Sequence, residues 1–138
     1  ELVDGGTAGL GLLGLLEEAD AVVFIDAAEL RAAPGAFRRF RTDEVRDLCQ
    51  GRELSLHETG LLSVLALGRQ TGHWPREVVV FGVQPTSLAP SLELSPACAA
   101  GLAGLAAGVR EEVDRLIANL YHTDSSGGNR GQEDPHHR

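Results

Sequence analysis

Ala21-Val22-Val23-Phe24-Ile25-Asp26-Ala27 decides how the rest of the chain is read. Val22 to Ile25 is an apolar run without polar alternation, the pattern of a strand buried on both faces at the centre of a parallel sheet. The run stops at Asp26, so the strand is expected to end on a carboxylate. In open α/β sheets ligands sit in the crevice beyond the carboxyl ends of the strands, which makes Asp26 a candidate site residue. The bland alternative is an acid that only caps or turns the next segment.

Upstream of this run, Glu1 to Asp4 read as the end of another strand, and Gly5-Gly6-Thr7 as a tight strand-to-helix turn capped by Thr7 or Asp4. Leu10, Leu13 and Leu16 then recur at helical spacing and predict a helix to about Ala19. Gly9, Gly11 and Gly14 thin that helix and weaken it by roughly 1 kcal/mol each relative to Ala, so packing must hold it. As a phosphate cradle the turn is poor, lacking both the Lys of a P-loop and the third glycine of a dinucleotide fingerprint.

Downstream, the linker to Phe37 is too short for a helical crossover, so Ala36 to Arg41 is expected as an antiparallel or edge strand. Its arginines Arg38, Arg39 and Arg41 suit a protected edge and read as solvated charges. Ser55-Leu56-His57-Glu58 has the Ser-x-x-Glu form of a capping box, which predicts a helix from Ser55 to about Gly68 or Thr71 with His57 in its first turn. A helix N-terminus favours the neutral imidazole that a metal needs, although a surface or capping histidine fits the same position. Glu77 to Val83 is a second continuously apolar strand, parallel to the first, with a break at Gly82 to Pro85. Ser95-Pro96 caps and opens a long helix carrying Val109, Val113, Leu116, Ile117 and Leu120. Residues 122–138 are polar and predict a disordered tail, in which His136-His137 is no basis for a specific metal site.

A length of 138 residues supports one domain. With 12 basic against 20 acidic residues, net −8, the chain is a poor partner for nucleic acid. Cys49 and Cys98 form no CxxC pair, which argues against a zinc knuckle or disulfide framework and fits a reducing cytoplasm. No apolar run is long enough to span a membrane, and no secretory signal is recognisable. The chain has no Met and opens as if inside a strand, so sequence upstream of Glu1 is expected.

Four segments taken together, Asp4-Gly5-Gly6-Thr7-Ala8-Gly9, Phe24-Ile25-Asp26-Ala27, Ser55-Leu56-His57-Glu58 and Gly82-Val83-Gln84-Pro85-Thr86-Ser87-Leu88, resemble the hydrogenase maturation endopeptidases. These proteases remove the C-terminal extension of the [NiFe] hydrogenase large subunit after nickel insertion. The resemblance covers residues 1–121. It implies a three-layer α/β/α fold around a twisted, mostly parallel sheet, lacking the family's N-terminal strand and its first acidic ligand. It implies further that Asp26 and His57 are metal ligands and act in cleavage, and that Asp4, Gly5, Gly6 and Thr7 help to recognise the substrate. The metal is then the nickel of the precursor, Ni²⁺, for which Zn²⁺ or Cd²⁺ could substitute in vitro, since carboxylate and imidazole donors suit such ions. The bond is cleaved either through a metal-polarised carbonyl and water, or with Asp26 as general base in an aspartic-type reaction. The partner is the large-subunit precursor, met by a cytoplasmic monomer. The competing reading is a non-catalytic module of the same fold that holds the precursor without cutting it. A nucleotide-binding domain would rest on fold analogy alone. A sheet without its first strand would also expose unpaired neighbours, from which low solubility of this chain follows.

Overall fold

Four strands, Ala21–Glu29 (β1), Phe37–Arg41 (β2), Ser55–Leu56 (β3) and Glu77–Val83 (β4), form one sheet in the order β2-β4-β1-β3. The computed structural model describes residues 1–6, 9–44, 55–56, 60–70, 72 and 74–125. β1 and β4 run parallel in register from Ala21↔Glu77 to Ala27↔Val83, as their apolar runs predict. β2 is antiparallel to β4 at one edge and β3 antiparallel to β1 at the other, so the described sheet is mixed around a parallel centre. Among the described residues, helices run over Leu13–Glu18 (α1), Gly60–Gly68 (α2) and Pro96–Ser125 (α3).

Alternation of side chains along β4 divides the core into two faces. Val78 and Val80 join Ala28, Leu30 and Phe40 of the sheet and loops with Leu61 and Leu65 of α2, and Phe24 and Trp74 close this cluster. On the opposite face Phe81 and Phe37, with rings 6.2 Å apart, lie against Gly104 and Gly108 of α3. Val79, Val80 and Phe81 are buried, each stabilising the fold by roughly 1.5–3 kcal/mol of removed apolar surface. α3 approaches the sheet end closely: a Cβ on Gly101 would run into the Gly35 carbonyl, and one on Gly35 into the Ala97 carbonyl.

An ionic ladder fixes the register of α3. Buried Glu112 takes Arg39 bidentately, Nε to Oε2 and Nη2 to Oε1, both at 2.8 Å. Arg115 Nη2 bonds Glu112 Oε1 at 2.6 Å and Glu77 Oε2 at 2.8 Å, and Asn119 Nδ2 donates to Glu77 Oε1 at 3.2 Å. Arg39 is therefore a structural partner and not simply a solvated edge charge.

Several boundaries differ from the sequence reading. The first helix is short, with a 3-10 turn over Gly9–Leu12 before α1, because Gly9 holds φ +46°, outside the right-handed region. Residues 1–5 belong to no strand. β1 continues past Asp26 to Glu29, where Ala28 and Glu29 pair with Leu56 and Ser55. That pairing overrides the capping box: Ser55 and Leu56 spend their backbone on a ladder, and the described helix begins at Gly60. Gly82 stays within β4 instead of breaking it. α3 runs through Ser125, past the expected end of the folded part, and residues 126–138 of the expected tail lie outside the described residues. Ser95 does cap α3, its Oγ accepting the Cys98 N–H at 3.2 Å. No described helix is long and apolar enough to cross a membrane.

Candidate functional site

Asp26 lies one residue short of the end of the parallel ladder, opposite Gly82, with Ala27↔Val83 as the last pair. Its Oδ1 accepts the N–H of Ala27 at 2.8 Å, which directs the carboxylate along the strand. Its parallel partner Gly82 has no room for a side chain, since a Cβ there would lie 2.9 Å from the Ala28 Cβ and 3.3 Å from the Phe40 ring. The acid thus sits half-buried on a backbone held by ladders, the kind of rigid element on which a site can be preorganised.

Residues 1–6 lie across from it and, with β1, wall a cleft of about 720 Å³. Asp4, Gly5 and Gly6 line this cleft together with Asp26. Asp4 Oδ1 accepts the Gly6 N–H at 3.0 Å and Gly6 holds φ +48°, so the turn is locked by a side-chain bond and by glycine's tolerance of that conformation. Leu12, Leu15, Leu16, Phe24 and Ile25 supply apolar walls. Among the described residues the charged side chains lining the cleft are those of Glu1, Asp4 and Asp26, all carboxylates, whose field favours a cation or a cation-bearing peptide.

Thr7 and His57 lie outside the described residues. The chain on either side of His57 is placed near Asp26, because Leu56 pairs with Ala28 and Leu61 lines the cleft. Among the described residues no three His, Cys, Asp or Glu side chains form a metal-binding group.

Gln84 is a positioning residue that the sequence reading passed over. It is buried, and its Oε1 accepts the N–H groups of Leu30 at 2.7 Å and Ala32 at 3.4 Å, while Nε2 reaches Glu29 Oε2 at 3.3 Å. One side chain thereby ties the end of β4 to the end of β1. The available signal was an amide between Val83 and Pro85, directly after a buried strand.

Comparison with known proteins identifies the family. The family model for hydrogenase maturation protease matches residues 1–117. The chain is similar to hydrogenase expression/formation protein HupM of Azotobacter chroococcum mcd 1, 40% identical over 114 residues that cover 76% of this chain and 54% of that protein. It is similar also to the hydrogenase 2 maturation protease of Escherichia coli strain K12, 39% identical over 97 residues, covering 70% of this chain and 58% of that protein. The structure of the hydrogenase maturating endopeptidase HybD from E. coli superposes with a TM-score of 0.63 at 34% identity, over 81% of this chain and 72% of that one. The chain spans about half the length of the relatives it matches. A parallel pair ending beside Asp26, an Asp-Gly-Gly turn across the cleft and a match over residues 1–117 make the chain a member of the hydrogenase maturation protease family.

Proposed function

We propose that the protein is an endopeptidase that removes the C-terminal extension of the [NiFe] hydrogenase large-subunit precursor, and that the nickel already in the precursor is what it recognises. The observation that carries this reading is the convergence of Asp26 with Asp4, Gly5 and Gly6 on one carboxylate-lined cleft. A metal-bearing peptide is a fitting ligand for such a cleft, since the carboxylates of its described lining, beside apolar walls, reward a cation on an extended chain.

In this reading Asp26 and His57 meet the precursor's nickel, and the Asp4 to Thr7 turn holds the peptide alongside. Hydrolysis adds water across the scissile amide: the hydroxyl goes to the carbonyl carbon, the C–N bond breaks, and the released nitrogen takes the remaining proton. Asp26 serves as the base that takes the water's proton, or the nickel polarises the carbonyl, and the two differ in what an amide at position 26 would do. The protein works in the cytoplasm as a monomer, a setting that cysteines without a disulfide pattern suit.

The test is cleavage of nickel-loaded and nickel-free precursor by the full chain, by Asp26→Asn and by His57→Ala. Cleavage of the loaded precursor alone, lost in both variants, is expected. Full activity in either variant, or equal cleavage of both precursors, overturns the proposal, and tight binding of the precursor without cleavage by the unaltered protein identifies a non-catalytic holder.

A further inference from the structure

β1 outruns its parallel partner. The ladder with β4 ends at Ala27↔Val83, yet β1 continues through Ala28 and Glu29, and these are the two residues that β3 pairs, Ala28 with Leu56 and Glu29 with Ser55. β3 therefore hangs on an overhang that lies past the end of β4. Beyond the overhang the chain turns at once. Arg31 holds φ +53°, a conformation unfavourable for a residue with a side chain, which persists only where its surroundings fix it.

What fixes it is a pair of side chains. Gln84 Oε1 accepts the N–H groups of Leu30 at 2.7 Å and Ala32 at 3.4 Å, the two that flank the left-handed residue, and Glu29 Oε1 accepts the Arg31 N–H itself at 2.9 Å. The two side chains are joined, Gln84 Nε2 donating to Glu29 Oε2 at 3.3 Å. The Gln84 backbone closes the far end of the turn: its N–H donates to the Ala36 carbonyl and its carbonyl accepts the Gly35 N–H, both at 2.8 Å. Three consecutive N–H groups are thus held by one amide and one carboxylate, so Gln84 does for the overhang with its side chain what a longer β4 would do with its backbone.

His57 follows β3 directly. Asp26 is held by the parallel ladder opposite Gly82, whereas on the β3 side the route to His57 runs through the overhang. We infer that Gln84 and Glu29 are positioning residues for the proposed cleavage: by fixing the overhang of β1 they set the place of β3, and through it where His57 stands relative to Asp26. The role of His57 rests on the proposed function, while the hold on β3 does not.

The experiment compares the unaltered full chain with Gln84→Glu and with the double variant Gln84→Glu/Glu29→Gln, measuring cleavage of nickel-loaded precursor and amide exchange. In the single variant two carboxylates face each other and the join breaks. In the double variant donor and acceptor are exchanged, which rebuilds every side-chain bond of the cluster except that to the Pro85 carbonyl. Turnover at saturation is expected to fall by about 10- to 100-fold in Gln84→Glu, the range for residues that orient a metal-site ligand from behind, and to return to within about fivefold in the double variant. Exchange should quicken in Gln84→Glu across Ala28 to Ala32 and at Ser55 and Leu56, and stay as it was at Val78 to Phe81, so that the lost turnover is not lost folding. Should Gln84→Glu not fold, Gln84→Asn, one methylene too short to reach the Leu30 N–H, takes its place. Unaltered turnover in the single variant, or unaltered exchange at Ser55 and Leu56, overturns the inference. So does a double variant that regains protection across Ala28 to Ala32 and stays as slow as the single one. If the unaltered protein cuts no precursor, the proposed function fails separately, and exchange at Ser55 and Leu56 then decides whether Gln84 holds β3.

Discussion

Replacing Glu112 by Gln keeps the shape of the side chain and removes the charge that joins α3 to the sheet. The Arg39 guanidinium, hydrogen-bonded to both carboxylate oxygens, holds the Glu112 carboxyl down at about 2, with Arg115 adding to the effect and burial opposing it. Relative to an ordinary value of 4.5, that depression corresponds to about 3 kcal/mol of stability at pH 7. Arg39 and Arg115 are each more than a third exposed, so water screens their side of the pair and about 3 kcal/mol is an upper bound. The folded value lies below the unfolded one, so the stabilisation is complete above about pH 5 and fades as pH falls toward 2. At pH 3 about 1.4 kcal/mol of it remains by the same relation. Urea melts of the unaltered protein and Glu112→Gln at pH 7, 5 and 3 read this directly: a gap of about 2–3 kcal/mol at pH 7 should shrink to about 1 at pH 3. A gap that stays constant with pH, or no gap at pH 7, would refute the reasoning by showing that the ionic ladder does not hold the helix.

Gly82→Ala places a methyl 2.9 Å from the Ala28 Cβ within a backbone fixed by ladders on both sides, and should cost about 1–3 kcal/mol by urea melting. Adding Ala28→Gly should return part of that loss, and failure to do so would mean the contact is not the cause. Ser95→Ala leaves the Cys98 N–H without its cap and frees the base of the loop after β4, so a loss of about 1 kcal/mol is expected. Melting with a change below a few tenths of a kcal/mol would show that the cap is replaced by water.

The central strands were legible because both are apolar runs, but only Val78 to Phe81 are buried as such a run predicts; along β1 Val22 to Phe24 are half-buried and Ile25 is 51% exposed beside the cleft, so that strand is not covered on both faces. Phe37 to Arg41, whose short linker excludes a crossover, and Ser95-Pro96 were legible too. The end of β1 was hidden because Ala27 and Ala28 carry no strand preference of their own; a ladder to Leu56 decides it. Ser55 shows the reverse failure, since a capping-box pattern is identical whether or not a neighbouring strand claims the backbone. The pair of Arg39 with Glu112, 73 residues apart, leaves no mark in periodicity. For the site, one carboxylate after an apolar run was readable from the residues, whereas its companions Asp4, Gly5 and Gly6 came from resemblance to a family. No spacing rule connects a turn before α1 to the end of β1.

Gln84 is where the fold and the proposed site meet. Its amide fixes Leu30 and Ala32 after β1, its backbone carbonyl accepts the Gly35 N–H at 2.8 Å, and its Nε2 holds Pro85 at the start of the loop after β4. β1 carries Asp26, so the carboxylate proposed to act in cleavage and the loop after β4 share one buried anchor. Buried polar side chains are costly unless fully bonded, and Gln84 uses its oxygen twice and its nitrogen twice. That expense is accounted for if the loop must keep a set position relative to Asp26.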